Sequence, residues 1–194
     1  MEPRTDVLDA IRKLEAELEE TLRGKQEEWK YRIELGRAKF ETAVSAQHRR
    51  MRTHIGRYLR DASLANLLTA PIIYSVTIPF LLIDAWVTLY QWICFPIYGI
   101  PCVRRRDFIA LDRRRLQYLN GIEKANCEYC GYANGLIAYI REVTARTEQY
   151  WCPIKHARAV RGPHQRYRLF VDYGDAEGYH RELQQLRDAL RKEK

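Results

Sequence analysis

The stretch that decides the architecture is residues 62–103, "ASLANLLTAPIIYSVTIPFLLIDAWVTLYQWICFPIYGIPCV", which holds a single charge, Asp84. The rest of the chain is its opposite. Across all 194 residues 30% are charged and the mean hydropathy is -0.48, so two polar regions flank one apolar insert. A transmembrane helix needs about 20 apolar residues, and this window holds 42. Two passes are therefore a tight fit, and Pro71, Pro79, Gly99, Pro96 and Pro101 interrupt any straight helix. The expectation is a membrane-embedded helical hairpin over 62–103, bent near "TIPFLLID", either spanning or re-entrant. The competing reading is the buried core of a soluble helical domain, although such cores are normally assembled from separate amphipathic segments.

Working outward, arginines crowd both ends of the window. Arg49, Arg50, Arg52, Arg57 and Arg60 precede it, and Arg104, Arg105, Arg106, Arg113, Arg114 and Arg115 follow it. Basic flanks tend to stay cytoplasmic, so a hairpin that returns both flanks to one side fits better than a single pass. The expected location is a membrane, with the polar regions facing the cytoplasm. The net charge of +8 then points to an anionic phospholipid membrane as partner, with an acidic protein as a further possibility and nucleic acid disfavoured. Tyr74, Trp86, Tyr90, Trp92 and Tyr98 are candidate interfacial anchors. Asp84, without a visible partner, reads as a turn or interfacial residue.

Upstream, residues 1–61 carry an 11-residue repeat: Val7, Leu18, Trp29, Phe40 and Met51, with Ile11, Leu22, Ile33, Val44 and Ile55 four positions later. Eleven residues in three turns keeps an apolar stripe on one helix face, and the expectation is one helix from about Thr5 to about Leu59. The third position, Leu14, Lys25, Gly36, Gln47 and Tyr58, is mixed, so the stripe is narrow. It suits homo-oligomeric, coiled-coil-like self-association better than a broad core. The alternative is adsorption on lipid, which the acidic first half opposes. The first residues, "MEPRTDVLDAIRKLEAELEE", show no signal-peptide pattern.

Downstream, residues 104–126 form a basic juxtamembrane segment, and 127–194 contain the chemistry-bearing residues. Cys127 and Cys130 form a CxxC pair. After 21 residues, most of them a short amphipathic helix "GLIAYIREVTARTEQYW", comes "CPIKH" with Cys152 and His156. Three thiolates and one imidazole are a recognised closed tetrahedral zinc set, with Gly131 supplying freedom for a knuckle. Its ligand grammar, and only that, resembles zinc ribbons and zinc knuckles over about 30 residues. Iron on the same ligands, a CxxC dithiol and unligated thiols remain open. His164 is a spare ligand. Cys94 and Cys102 read as packed or lipid-facing thiols, and an odd count of five disfavours a disulfide framework.

In the last segment "RYRLFVDY" alternates as a strand would, so an α/β metal-binding module with a small hairpin is expected. Asp172, Asp175, Glu177 and His180 raise the question of a second metal or acid/base site; Asp175 as a helix N-cap is the simpler reading. No catalytic triad, phosphate-binding glycine loop or nucleotide motif is present in the sequence. The function expected is a mainly α, membrane-associated scaffold or adaptor with structural zinc; a membrane-tethered iron redox protein and a tethered nucleic-acid-binding zinc module are the alternatives.

Overall fold

A computed structural model describes residues 3–28, 31–34, 37–40 and 42–193, and the fold is mainly helical. The expected 55-residue N-terminal helix is not continuous. It is divided into α1 (Pro3–Glu28), an antiparallel pair β1 (Tyr31–Glu34) and β2 (Arg37–Phe40), α2 (Thr42–Arg50) and α3 (Ile55–Asp61). A narrow stripe explains the interruption, since isolated helices need a packed apolar face to persist. Around the break the aromatic and β-branched residues Tyr31, Ile33 and Phe40 favour strand. Trp29 and Gly36 of the repeat lie outside the described residues.

The apolar window is not a hairpin either. It forms α4 (Leu64–Ser75) and α5 (Thr77–Tyr98), and "TIPFLLID" is the first part of α5. Val76 between them is right-handed helical, with φ -63° and ψ -17°. The chain therefore runs on with an interruption, and does not reverse. Pro79 accounts for it: having no N–H, it leaves the Ser75 carbonyl without its helical donor. The result is the one helix, 64–98, that is long and apolar enough to cross a membrane among the described residues. At its end Gly99 takes φ 69°, and the N–H of Ile100 donates to the Phe95 carbonyl at 2.8 Å. This left-handed stop turns the chain back and places both Phe95 and Ile100 in the core.

The third long element, α6 (Gly121–Trp151), begins six residues before the first cysteine of the CxxC pair. Asn120 Oδ1 accepts from the N–H groups of Ile122 and Glu123 at 2.9 and 3.0 Å, and Glu123 Oε2 accepts from Asn120 N–H at 2.8 Å. This reciprocal capping box starts the helix. The expected CxxC knuckle is thus two turns inside a helix, and the α/β hairpin is likewise missing. "QRYRL" is a 3₁₀ turn and Val171 makes one isolated parallel bridge to Ile154. Asp175 caps α7 (Ala176–Arg191), accepting from Gly178 N–H at 2.8 Å.

The chain forms two compact units. The first combines Met1–Asp61 with Asp112–Asn126. Within it His48 contacts both Phe40 and Tyr118 edge-on, with ring centres 5.3 Å apart in each case. The second combines Ala62–Leu111 with Cys127–Lys194. Its core is Phe95, Ile100, Val103, Leu136, Tyr139, Val143 and Leu190, drawn from α5, α6, α7 and the strap of residues 100–111. Contacts pair residues 74, 84, 91 and 98 with 129, 132, 139 and 150, so α6 runs parallel to the apolar helix. The strap runs back against both. A Cβ on Gly135 would stand 2.6 Å from the Phe108 carbonyl oxygen and 2.9 Å from Ile109 Cα, so only glycine lets the strap lie this close.

Candidate functional site

The two sides of α5 have opposite fates. Asp84, Gln91 and Phe95, seven and four residues apart, share one face and are buried, Phe95 completely. Leu82, Trp86, Leu89, Ile93 and Ile97 share the other face and are exposed, Trp86 at 73% and Ile97 at 72%. In α4 no described residue is buried, and Leu64, Leu68 and Ile72 continue the exposed apolar surface. Scattered exposed leucines are ordinary, but a contiguous stripe of this length marks a binding surface.

On the buried face the polar residues are clamped to the strap. Asp84 receives a forked pair from Arg105, Nη2 to Oδ2 at 2.6 Å and Nε to Oδ1 at 3.0 Å, together with the Tyr132 hydroxyl at 2.8 Å. Gln91 makes a second tie. Its Oε1 accepts from Val103 N–H at 2.9 Å, and its Nε2 donates to the Val103 carbonyl at 3.2 Å and to the Tyr139 hydroxyl at 2.6 Å. Two polar groups that would otherwise be costly on an apolar helix are thereby satisfied. The arrangement fixes the register of helix, strap and α6; it holds no free nucleophile or base, so its chemistry is that of a staple.

A second polar group ties α6 to the strap and to the C-terminal segment. Arg166 donates to Glu142, Gln149 and Glu193 at 2.6 to 3.1 Å, and Arg146 donates to Glu142 at 2.9 Å and to the Pro101 carbonyl at 2.7 Å. Burial pushes the Glu142 carboxyl upward, but the hydrogen bonds from Arg166 and Arg146 outweigh it and hold the carboxyl below its ordinary value. Beside this group lies an open cleft of about 660 Å³. Of its charged groups, Glu142, Arg166 and Glu193 are engaged with one another, and Arg141 donates to the Gly162 carbonyl at 2.7 Å, which marks them as structural.

The structure does not bring Cys127, Cys130, Cys152 and His156 together. Cys127 and Cys130 lie within one turn of α6, while Cys152 follows its last residue. The 25 residues from Cys127 to Cys152 correspond to roughly 37 Å along a continuous helix, far beyond the reach of one ion at zinc–sulfur distances. His156 is exposed, with its ring stacked against Tyr167. Among the described residues no three Cys, His, Asp or Glu side chains are grouped to hold a metal. His164, the spare ligand, has both ring nitrogens engaged: Nε2 with Glu148 at 2.8 Å, and Nδ1 accepting from Tyr167 N–H at 3.2 Å. All five cysteines are free thiols.

Sequence reasoning missed the clamp because Arg105 is one of eleven flanking arginines and nothing in the chain singles it out. Two signals were legible: Asp84 and Gln91 stand seven residues apart on one helix face, and "NGIE" is a capping-box pattern that places the helix start ahead of the cysteines.

Comparison with family models, characterised proteins and solved structures finds no match to this chain.

Proposed function

We propose that this chain is a membrane-associated scaffold or adaptor protein, held to an anionic phospholipid surface by the apolar side of α4–α5. The observation that carries this reading is the exposed stripe from Leu64 to Ile97, opposite a face of α5 that is already satisfied by protein. Water is a poor solvent for such a stripe, because each fully exposed Trp, Leu or Ile forgoes about 1.5 to 3 kcal/mol of burial. Lipid supplies it. Arg104 and Arg106 stay exposed directly after the helix, where cationic side chains meet headgroups.

Self-association is part of the proposal. Leu14, Leu18 and Leu22 lie at four-residue spacing on α1 and are exposed, a stripe that suits a second copy or a partner helix. An acidic protein partner for the basic flanks belongs to the same reading. A zinc or iron centre on Cys127, Cys130, Cys152 and His156 of one chain is not part of it, because α6 holds the two pairs apart.

Flotation with purified vesicles tests the proposal. The protein is expected to float with phosphatidylglycerol-containing vesicles, and less with pure phosphatidylcholine or at high salt. A protein that stays soluble and monodisperse, and floats with neither, refutes it.

A further inference from the structure

We infer that α4–α5 lies in the plane of one anionic leaflet and does not cross the bilayer; the inference rests on the membrane reading above and specifies its geometry. Length and composition alone allow a crossing. The path of the chain on either side forbids it.

Residues 55–61, which lead into the helix, and residues 112–126, which follow the strap, belong to the same compact unit. Any crossing made by 64–98 must therefore be undone before residue 112. Only residues 99–111 are available for the return, and they include Arg104, Arg105, Arg106 and Asp107. This strap is neither a helix long enough to span nor part of a closed sheet. Backbone of that kind is not tolerated facing lipid.

Depth gives the same answer. Arg105 is locked to Asp84 by the fork at 2.6 and 3.0 Å, and Asp84 is close to the midpoint of 64–98. A crossing centred on this helix would carry Arg104, Arg105, Arg106 and Asp107 to the bilayer centre, where each charge is expensive. Beyond Asp84, α6 runs alongside with Arg141, Glu142, Arg146 and Glu148, which would also have to enter. In the plane of the leaflet these conflicts vanish. Leu82, Trp86, Leu89, Ile93 and Ile97 sink below the headgroups, the strap and α6 stay on the water side, and Arg104 and Arg106 reach phosphates. The occupant is thus a lipid leaflet whose charge complements the arginines.

The test uses the full chain bound to phosphatidylglycerol vesicles doped with brominated phosphatidylcholine. With Trp29→Phe and Trp151→Phe in place, Trp86 and Trp92 are the tryptophans that remain, and they are expected to be quenched more by bromines near the carbonyl region than by bromines near the chain ends. In parallel, an impermeant maleimide is added to sealed vesicles bearing Ala46→Cys, and labelling is resolved by site. Position 46 and Cys152 are both expected to react fully from outside. Stronger quenching by deep bromines, or protection of one of the two positions in half or more of the molecules, overturns the in-plane placement but leaves membrane association standing. Absence of flotation, with a dimer in sedimentation that shields Trp86 and Trp92, overturns both and assigns the stripe to a second copy. Should Ala46→Cys fail to fold, the quenching of Trp86 and Trp92, which does not need that substitution, decides alone.

Discussion

Two long helices of the second unit, α5 and α6, run parallel and share a core, yet they are built inside out with respect to one another. In α6 the residues turned inward are mostly apolar, Leu136, Tyr139 and Val143 among them with Gln149 as a buried amide, and Arg141 and Thr144 face outward. In α5 the inward residues include Asp84 and Gln91, and Trp86, Trp92 and Ile97 face outward. The first pattern is what water imposes on a helix. The second keeps its few polar groups where protein can satisfy them and leaves large apolar groups exposed. On the membrane reading proposed above, the difference means that these helices, though packed together, face different solvents.

The comparison predicts that deletions on the two outer faces and the two inner faces behave differently. The largest loss of stability is expected from Leu136→Ala on the inner face of α6. Leu136 is fully buried in the core, and such truncations cost about 3 kcal/mol in lost burial and residual cavity. Thermal or urea unfolding in mild detergent measures it; a change under 1 kcal/mol would show that this face is not the core.

Next comes Asp84→Ala on the inner face of α5. It leaves the Arg105 guanidinium and the Tyr132 hydroxyl without their shared acceptor. Breaking a buried pair costs about 3 to 5 kcal/mol. Because the Arg105 side chain is 44% exposed, water recovers part of this and about 2 kcal/mol is expected. The double change Asp84→Leu with Arg105→Leu should lose less than the single change, since no charge is left unpaired. If the double variant is as damaged as the sum of the singles, the two residues do not act as a pair.

Third, Trp86→Ser with Ile97→Ser on the outer face of α5 should leave the unfolding midpoint unchanged or raise it. The same variant should bind phosphatidylglycerol vesicles at least about tenfold more weakly, from the apolar area withdrawn from lipid. A fall in stability like that of Leu136→Ala would place these residues in a protein core and dissolve the contrast between the helices.

What could be read from sequence divides along the same line. The apolar run, its arginine flanks and the mainly helical character follow from composition and local pattern, so they were legible. The non-reversing path through Val76 was not, because proline in an apolar run signals both a reversal and an interruption, and only the backbone conformation at Val76 separates them. The pairing of Asp84 with Arg105 spans 21 residues, and long-range pairing leaves no local trace. The cysteines misled for a physical reason: CxxC places two thiols close together in a turn or within a helix alike, and the residue that decides between them, Asn120, lies seven positions upstream.

The smallest effect expected belongs to neither α5 face, and it tests the half-buried ionic cluster of Glu142, Arg146 and Arg166 at α6. Glu142 is held below its ordinary pKa: burial alone would raise it, and the hydrogen bonds from Arg166 and Arg146 reverse that. Its folded value lies below its unfolded value, near 4.3, so the folded state binds fewer protons there. The stabilisation is fully present above about pH 4.3 and is lost as pH falls through the folded value. Its size is about 1 to 2 kcal/mol, that of a charge-assisted hydrogen bond. Glu142→Gln should therefore be less stable than the parent protein at pH 7 and approach it as pH falls below the ordinary carboxylate range, with a flatter slope. Denaturant melts at several pH values measure this. Equal slopes in the two proteins would mean that Glu142 contributes nothing in its ionised form, and that α6 is held by Leu136, Tyr139 and Val143 without help from this ionic cluster.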